Sequence, residues 1–173
     1  MGADAPEVEY PAPWHNHPWF IEAAADRVRA ALARLPEERR ATAQLIFTAH
    51  SIPAAMAARS PYLDQLNESA RLVAAAVGHN GWKLAFQSRS GNPRDPWLEP
   101  DIGDALRCCR GGAAVVMPIG FLCDHVEVLY DLDVAAAKIA RDAGVSMERS
   151  ETVGGHPRFI DMMASIARSH LRR

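Results

Sequence analysis

The order of apolar segments predicts an α/β fold, a three-layer α/β/α sandwich around about four parallel strands. Two observations carry that expectation. Short apolar runs at residues 44–49, 82–86 and 113–117 are nearly continuous instead of alternating, as strands buried on both faces are. The segments between them are long enough for crossover connections and carry apolar residues at helical spacing. With strand and helix alternating along the chain, the sheet is expected to be parallel.

Length and composition bound the rest. A chain of 173 residues that is 49% apolar can bury one core, so one domain is expected over residues 14–173. A net charge of −2 implies no broad basic surface for nucleic acid. No apolar run is long enough to span a bilayer, and the N-terminus has no basic-then-apolar leader pattern, so a cytoplasmic location is expected. Cys108, Cys109 and Cys123 fit neither a disulfide framework nor a zinc spacing, which points to reduced thiols.

Taken in order, residues 1–13 are rich in Pro, Ala and acidic side chains without periodicity and read as a mobile lead-in. A helix then runs to about Leu35, with Phe20, Ala24, Val28, Ala31 and Leu35 on its apolar stripe. His15 and His17 stand at its start, where Pro18 suits a first turn, so capping or packing is favoured over metal binding. Residues 36–40 form a charged connector, and the first strand ends at His50, which the strand tip presents to a ligand in a loop stiffened by Pro53. Ser60 and Pro61 suit the start of a helix ended by Gly78. A second strand leads into the long polar loop 87–100, anchored by Trp97, the kind of loop that carries function. A helix over 101–110 precedes the third strand. A helix over 124–143, a short strand near 145–147 and a last helix over 157–171 complete the chain.

The third strand breaks at Pro118 and Gly120, and the next helix brings His125, Glu127, Asp131 and Asp133 into about two turns. Glu127 and Asp131 are four apart on one face, where two carboxylates repel unless a cation or proton lies between them. One reading has Asp124 cap the helix and the acidic residues complement its positive end. The other makes this a site, at the strand edge where open α/β sheets bind ligands.

Phe47-Thr-Ala-His-Ser-Ile-Pro53, Phe86-Gln-Ser-Arg-Ser-Gly91, Trp97-Leu-Glu-Pro100, Pro118-Ile-Gly-Phe121 and Asp124-His-Val-Glu-Val-Leu-Tyr-Asp-Leu-Asp133 resemble the successive signatures of ferrochelatases. Five motifs in order are a specific match. It extends from about Trp14 onward, and residues 17–22 and 51–66 look most like the actinobacterial coproporphyrin ferrochelatases. The resemblance implies a chelatase-like, flavodoxin-like domain similar to the C-terminal one of a ferrochelatase's two. It implies an enzyme of heme biosynthesis that inserts Fe(II), as substrate, into coproporphyrin III or protoporphyrin IX held between two domains. The implied partner is a second domain on a separate chain, or a second copy of this chain as in the short homodimeric cobalt and nickel chelatases. The alternative is a non-catalytic porphyrin- or metal-binding half-domain.

Residue by residue, the resemblance makes His50 the metal-site and proton-accepting histidine and Glu127 its partner carboxylate across the macrocycle. Asp131 matches the next acidic position, on a path for metal or protons. One turn further, a position usually acidic in the family is Ala135. Ser51, Ile52, Pro53, Gln87, Ser88, Arg89, Trp97, Pro118, Gly120 and His125 fall in the matching motifs and are the implied substrate-binding positions. Some members bind an iron–sulfur cluster through cysteines of a C-terminal extension. Here the last residue is Arg173, no cluster is expected, and Cys123 reads as a small buried residue beside the site.

Overall fold

A computed structural model describes residues 8–92 and 94–171. Part of the expected mobile lead-in, residues 1–7, lies outside the described residues. The elements in order are α1 (Pro18–Arg34), α2 (Glu37–Arg40), β1 (Gln44–His50), α3 (Ala54–Ala57), α4 (Tyr62–Val77), β2 (Trp82–Gln87), α5 (Ile102–Arg107) and β3 (Ala113–Met117). There follow α6 (Val126–Val128), a π-helical stretch (Leu129–Ala136), α7 (Ala137–Asp142), β4 (Ser146–Arg149) and α8 (Pro157–Leu171).

The strands form one parallel sheet in the order β2-β1-β3-β4, as their continuous apolar character predicts. Alternate residues feed two cores. Leu45, Phe47 and Ala49 of β1 and Val115 and Met117 of β3 face α1, α4 and α8, whereas Ile46, Ala114 and Val116 face α5, the π stretch and α7. Phe47, Leu45, Leu106 and Leu132 are fully buried, and such side chains contribute roughly 1.5–3 kcal/mol each. In this strand order the connections reverse direction between β1 and β3. The crevice beyond the C-terminal ends of those two strands is the topological switch point, where open sheets of this class bind ligands.

Local chemistry sets most of the boundaries. His17 caps α1, its Nδ1 accepting from the Trp19 amide at 3.2 Å, and Pro18 opens the helix. Gly78 ends α4 with φ 76°, a left-handed conformation that a side chain rarely adopts. Asp101 caps α5, which stops at Arg107, short of the expected 110. Four expectations are corrected. Residues 37–40 are helical, α3 intervenes after β1, and Ser60 does not cap α4 because its hydroxyl donates to the Ala57 carbonyl at the end of α3. The segment after β3 is not one α-helix, since eight of its residues are π-helical.

Candidate functional site

His50 is the last residue of β1 and lies at the switch point. Its backbone is held by its neighbours, for the Tyr62 hydroxyl donates to the His50 carbonyl at 2.9 Å. The Ser51 amide donates to the Gln87 carbonyl at 2.7 Å and the Ser51 hydroxyl to the Leu98 carbonyl at 3.1 Å, stitching the loop after β1 to the loop after β2. His50 Nδ1 lies 2.6 Å from the Ser51 carbonyl oxygen. A carbonyl can only accept, so Nδ1 carries the proton and the neutral ring keeps its lone pair on Nε2. Nε2 lies 3.4 Å from Glu127 Oε1. Both side chains stay partly open, at 30% and 41% exposure, so the pair borders open space.

Glu127 reaches His50 because Gly120 lets the loop after β3 lie directly on β1. The Gly120 amide donates to the Thr48 carbonyl at 3.0 Å, and a Cβ there would stand 2.6 Å from the Ala49 Cβ. His125 precedes α6 with its ring edge-on to Phe121, centroids 5.4 Å apart. Asp131, in the π stretch, accepts from the Ser88 hydroxyl. Ser88 holds φ 61°, left-handed for a residue other than glycine, and strain of that sort collects at functional sites. Trp97 anchors the same loop, its Nε1 donating to the Asn92 carbonyl at 3.1 Å, and Arg89 pairs with Glu99 at 3.5 Å.

Of the sequence-predicted positions, His50 and Glu127 come together, while Asp131 sits beside them tied to Ser88. Among the described residues, no three or more His, Cys, Asp and Glu side chains are arranged to hold a metal ion. Ile52, Pro53, Ser88, Arg89, Trp97, Gly120 and His125 are exposed or half-buried around this edge. Ser51, Gln87 and Pro118 are buried, so their side chains shape the loops and present nothing at the surface. Cys123 is exposed, correcting its expected burial. Asp124 does not cap the helix either, because it pairs with Arg149. A cavity of about 330 Å³ lined by Trp14, Tyr62, Leu66, Ile119 and Gly120 flanks the same edge, but neither His50 nor Glu127 lines it. The chemically able groups are the histidine–carboxylate pair, and the cavity is an apolar flank.

A family model described as Ferrochelatase matches residues 2–171. The chain belongs to the ferrochelatase family. It is 45% identical to a ferrochelatase of Rhodopirellula baltica, with 99% of this chain and 50% of that protein aligned. Identity to coproporphyrin III ferrochelatases is 46% for Nocardia farcinica, covering 99% of this chain and 52% of the relative, and 45% for Mycolicibacterium smegmatis, covering 95% and 50%. The chain thus spans about half the length of the curated ferrochelatases it matches. Among solved structures it resembles CbiX, described as the terminal enzyme of siroheme biosynthesis in denitrifying bacteria, with TM-score 0.60 and 18% identity over 95% of this chain and 63% of that one. A multi-domain Deinococcus radiodurans protein with structural similarity to chelatases gives TM-score 0.61 at 20% identity, over 92% of this chain and 31% of that protein. At such identities the likeness supports the chelatase-like fold alone.

Proposed function

We propose that the domain formed by residues 14–173 is the catalytic half of a cytoplasmic, coproporphyrin-type ferrochelatase. It inserts Fe(II) into a porphyrin covered on its other side by a second α/β domain or a second copy of the chain. The observation that carries this reading is the His50–Glu127 pair at the sheet's switch point. Insertion exchanges two pyrrole protons of the macrocycle for one divalent metal ion. With its Nδ1–H committed to the Ser51 carbonyl, His50 offers the lone pair of Nε2 as the base for a pyrrole proton. The proton that lands on Nε2 creates an imidazolium beside Glu127, whose carboxylate stabilises it, while the second proton leaves by the Glu127–Asp131 side. Imidazole and carboxylate hold a first-row divalent ion without the closed ligand set that would trap it, so Zn(II) should be accepted as well. Unpaired Cys108, Cys109 and Cys123 suit a reducing compartment.

The decisive test supplies the N-terminal half of the Nocardia relative in trans and follows porphyrin binding and metal insertion together. Insertion that depends on both halves is the expected result. Porphyrin binding without insertion under any condition would leave a non-catalytic binding module as the correct reading.

A further inference from the structure

We infer that Arg149 is the positioning residue that aims Glu127 at His50, by tethering both ends of the segment that carries Glu127. The assignment concerns the same site and rests on the proposed function for its catalytic consequence, though its structural claim stands without it.

Arg149 is the last residue of β4, at the sheet edge where β1 ends in His50. Its side chain is only 15% exposed and points along that edge to two carboxylates. Nη1 lies 3.0 Å from Asp124 Oδ1, just before α6, and Nε lies 2.6 Å from Asp133 Oδ1, inside the π stretch. Nη1 also donates to the Ser150 carbonyl at 3.1 Å, which fixes the guanidinium against its own strand. Glu127 lies between the two tethered aspartates in sequence.

Burial of Val128, Leu132 and Ala136 in the core anchors one face of the segment, and the tether fixes its two ends, which that burial leaves free. The helix start at His125 has no side-chain cap, α6 is three residues long, and the π stretch follows at once. The chain has no regular α-helical ladder here to transmit position from α7 back to Glu127. Polar contacts add to the core packing of Val128 and Leu132: Asp131 is held by Ser88, and the Asp124–Arg149–Asp133 bridge grips both flanks. A planar guanidinium with donors pointing in different directions suits two carboxylates at once, whereas an ammonium is a point charge. Burial works against the charged form of Arg149, but the hydrogen bond to Asp133 and the charge of Asp124 outweigh it and raise its pKa, so the guanidinium stays charged.

The test compares Arg149→Gln, Arg149→Lys, Glu127→Gln and the double variant Arg149→Gln/Glu127→Gln. Hydrogen exchange on the chain alone should quicken in Arg149→Gln across residues 122–136 and stay unchanged in β1, β3, α1 and α4, with partial recovery in Arg149→Lys. In the two-half assembly, Arg149→Gln should lower kcat roughly 10- to 100-fold, the range for residues that orient a reacting group, with KM for porphyrin little changed. The double variant should be no slower than Glu127→Gln, because Arg149 acts through Glu127. Unchanged exchange at 122–136, a rise throughout the domain, or additive loss in the double variant would each overturn the assignment. If no variant or parent inserts metal, the proposed function fails and the exchange result still decides the tether.

Discussion

His50 has two ring nitrogens with different surroundings, and that difference makes its role testable. Nδ1 is engaged by a backbone carbonyl that any substitution at Ser51 would preserve, whereas Nε2 faces Glu127 and open space. His50→Ala should therefore abolish insertion by the assembled enzyme while costing little stability, since the side chain is partly exposed and packs no core; undiminished turnover would refute its role. Insertion is the readout that loss of the Nε2 lone pair should move, because that lone pair takes the pyrrole proton. Porphyrin affinity should not follow, being set by burial of a large apolar face. Parallel loss of binding and insertion would contradict the base assignment. The place of His50 at a strand tip and of Glu127 beside a second carboxylate was legible in the sequence, while their pairing came only from the resemblance of five ordered motifs to ferrochelatases. Arg149 was not legible, for its partners lie 16 and 25 residues away and a lone arginine at the end of a short strand carries no local signal. The misplaced cap has the same cause, since Asp124 is drawn off the helix by that distant partner.

Elements hold these residues in place through close approach and through caps. Gly120→Ala would push a methyl group against Ala49, whose Cα would lie 2.9 Å away in a central strand that cannot yield. The variant should lose about 1–3 kcal/mol, the usual cost of overpacking, measurable by denaturant unfolding. An unchanged midpoint would show that the loop lifts instead, and insertion should then be lost. Farther from the site, Glu68 of α4 is bonded by His15 at 2.7 Å and by Asn16, which pins the chain ahead of α1 to α4. Those hydrogen bonds, that from His15 foremost, lower the Glu68 pKa below its ordinary 4.5. A depressed folded-state pKa gives stability that is present above 4.5 and lost as pH falls through the folded value. Glu68→Gln should therefore shift the unfolding midpoint at neutral pH yet match the parent in strong acid; a constant offset across pH would exclude this linkage. Strands, α1, α4 and α8 could be read from the sequence because apolar period reports directly on buried faces. The π stretch could not, because 3.6- and 4.4-residue spacings are hard to separate over eight residues, and the contacts of Asp131 and Asp133 come from other parts of the fold.

At the scale of the whole molecule, the edge that carries His50 is flanked by uncovered apolar side chains. Met56 of α3 is 57% exposed, and Val126, Tyr130 and Val134, spaced four apart along α6 and the π stretch, are 81%, 61% and 54% exposed. Ile52 and Trp97, which the sequence marks for the same surface, are half-buried because the loops after β1 and β2 fold onto each other through the Pro53–Trp97 bridge. Apolar side chains clustered beside a site, in a chain that spans half of its relatives' length, should be buried by a partner. Removing such area from water contributes about 25 cal/mol per Å², so a few exposed side chains drive association only if they pack together against one surface. The chain should accordingly self-associate at high concentration, and a ferrochelatase N-terminal half should displace that self-association because it covers the same edge. Light scattering with and without the added half measures both. Tyr130→Glu should weaken both contacts, while a glutamate at Ile160, 54% exposed on α8 at a distance from the site, should weaken neither. Strictly monomeric behaviour at every concentration, or equal sensitivity to the two substitutions, would count against this edge as the covered one.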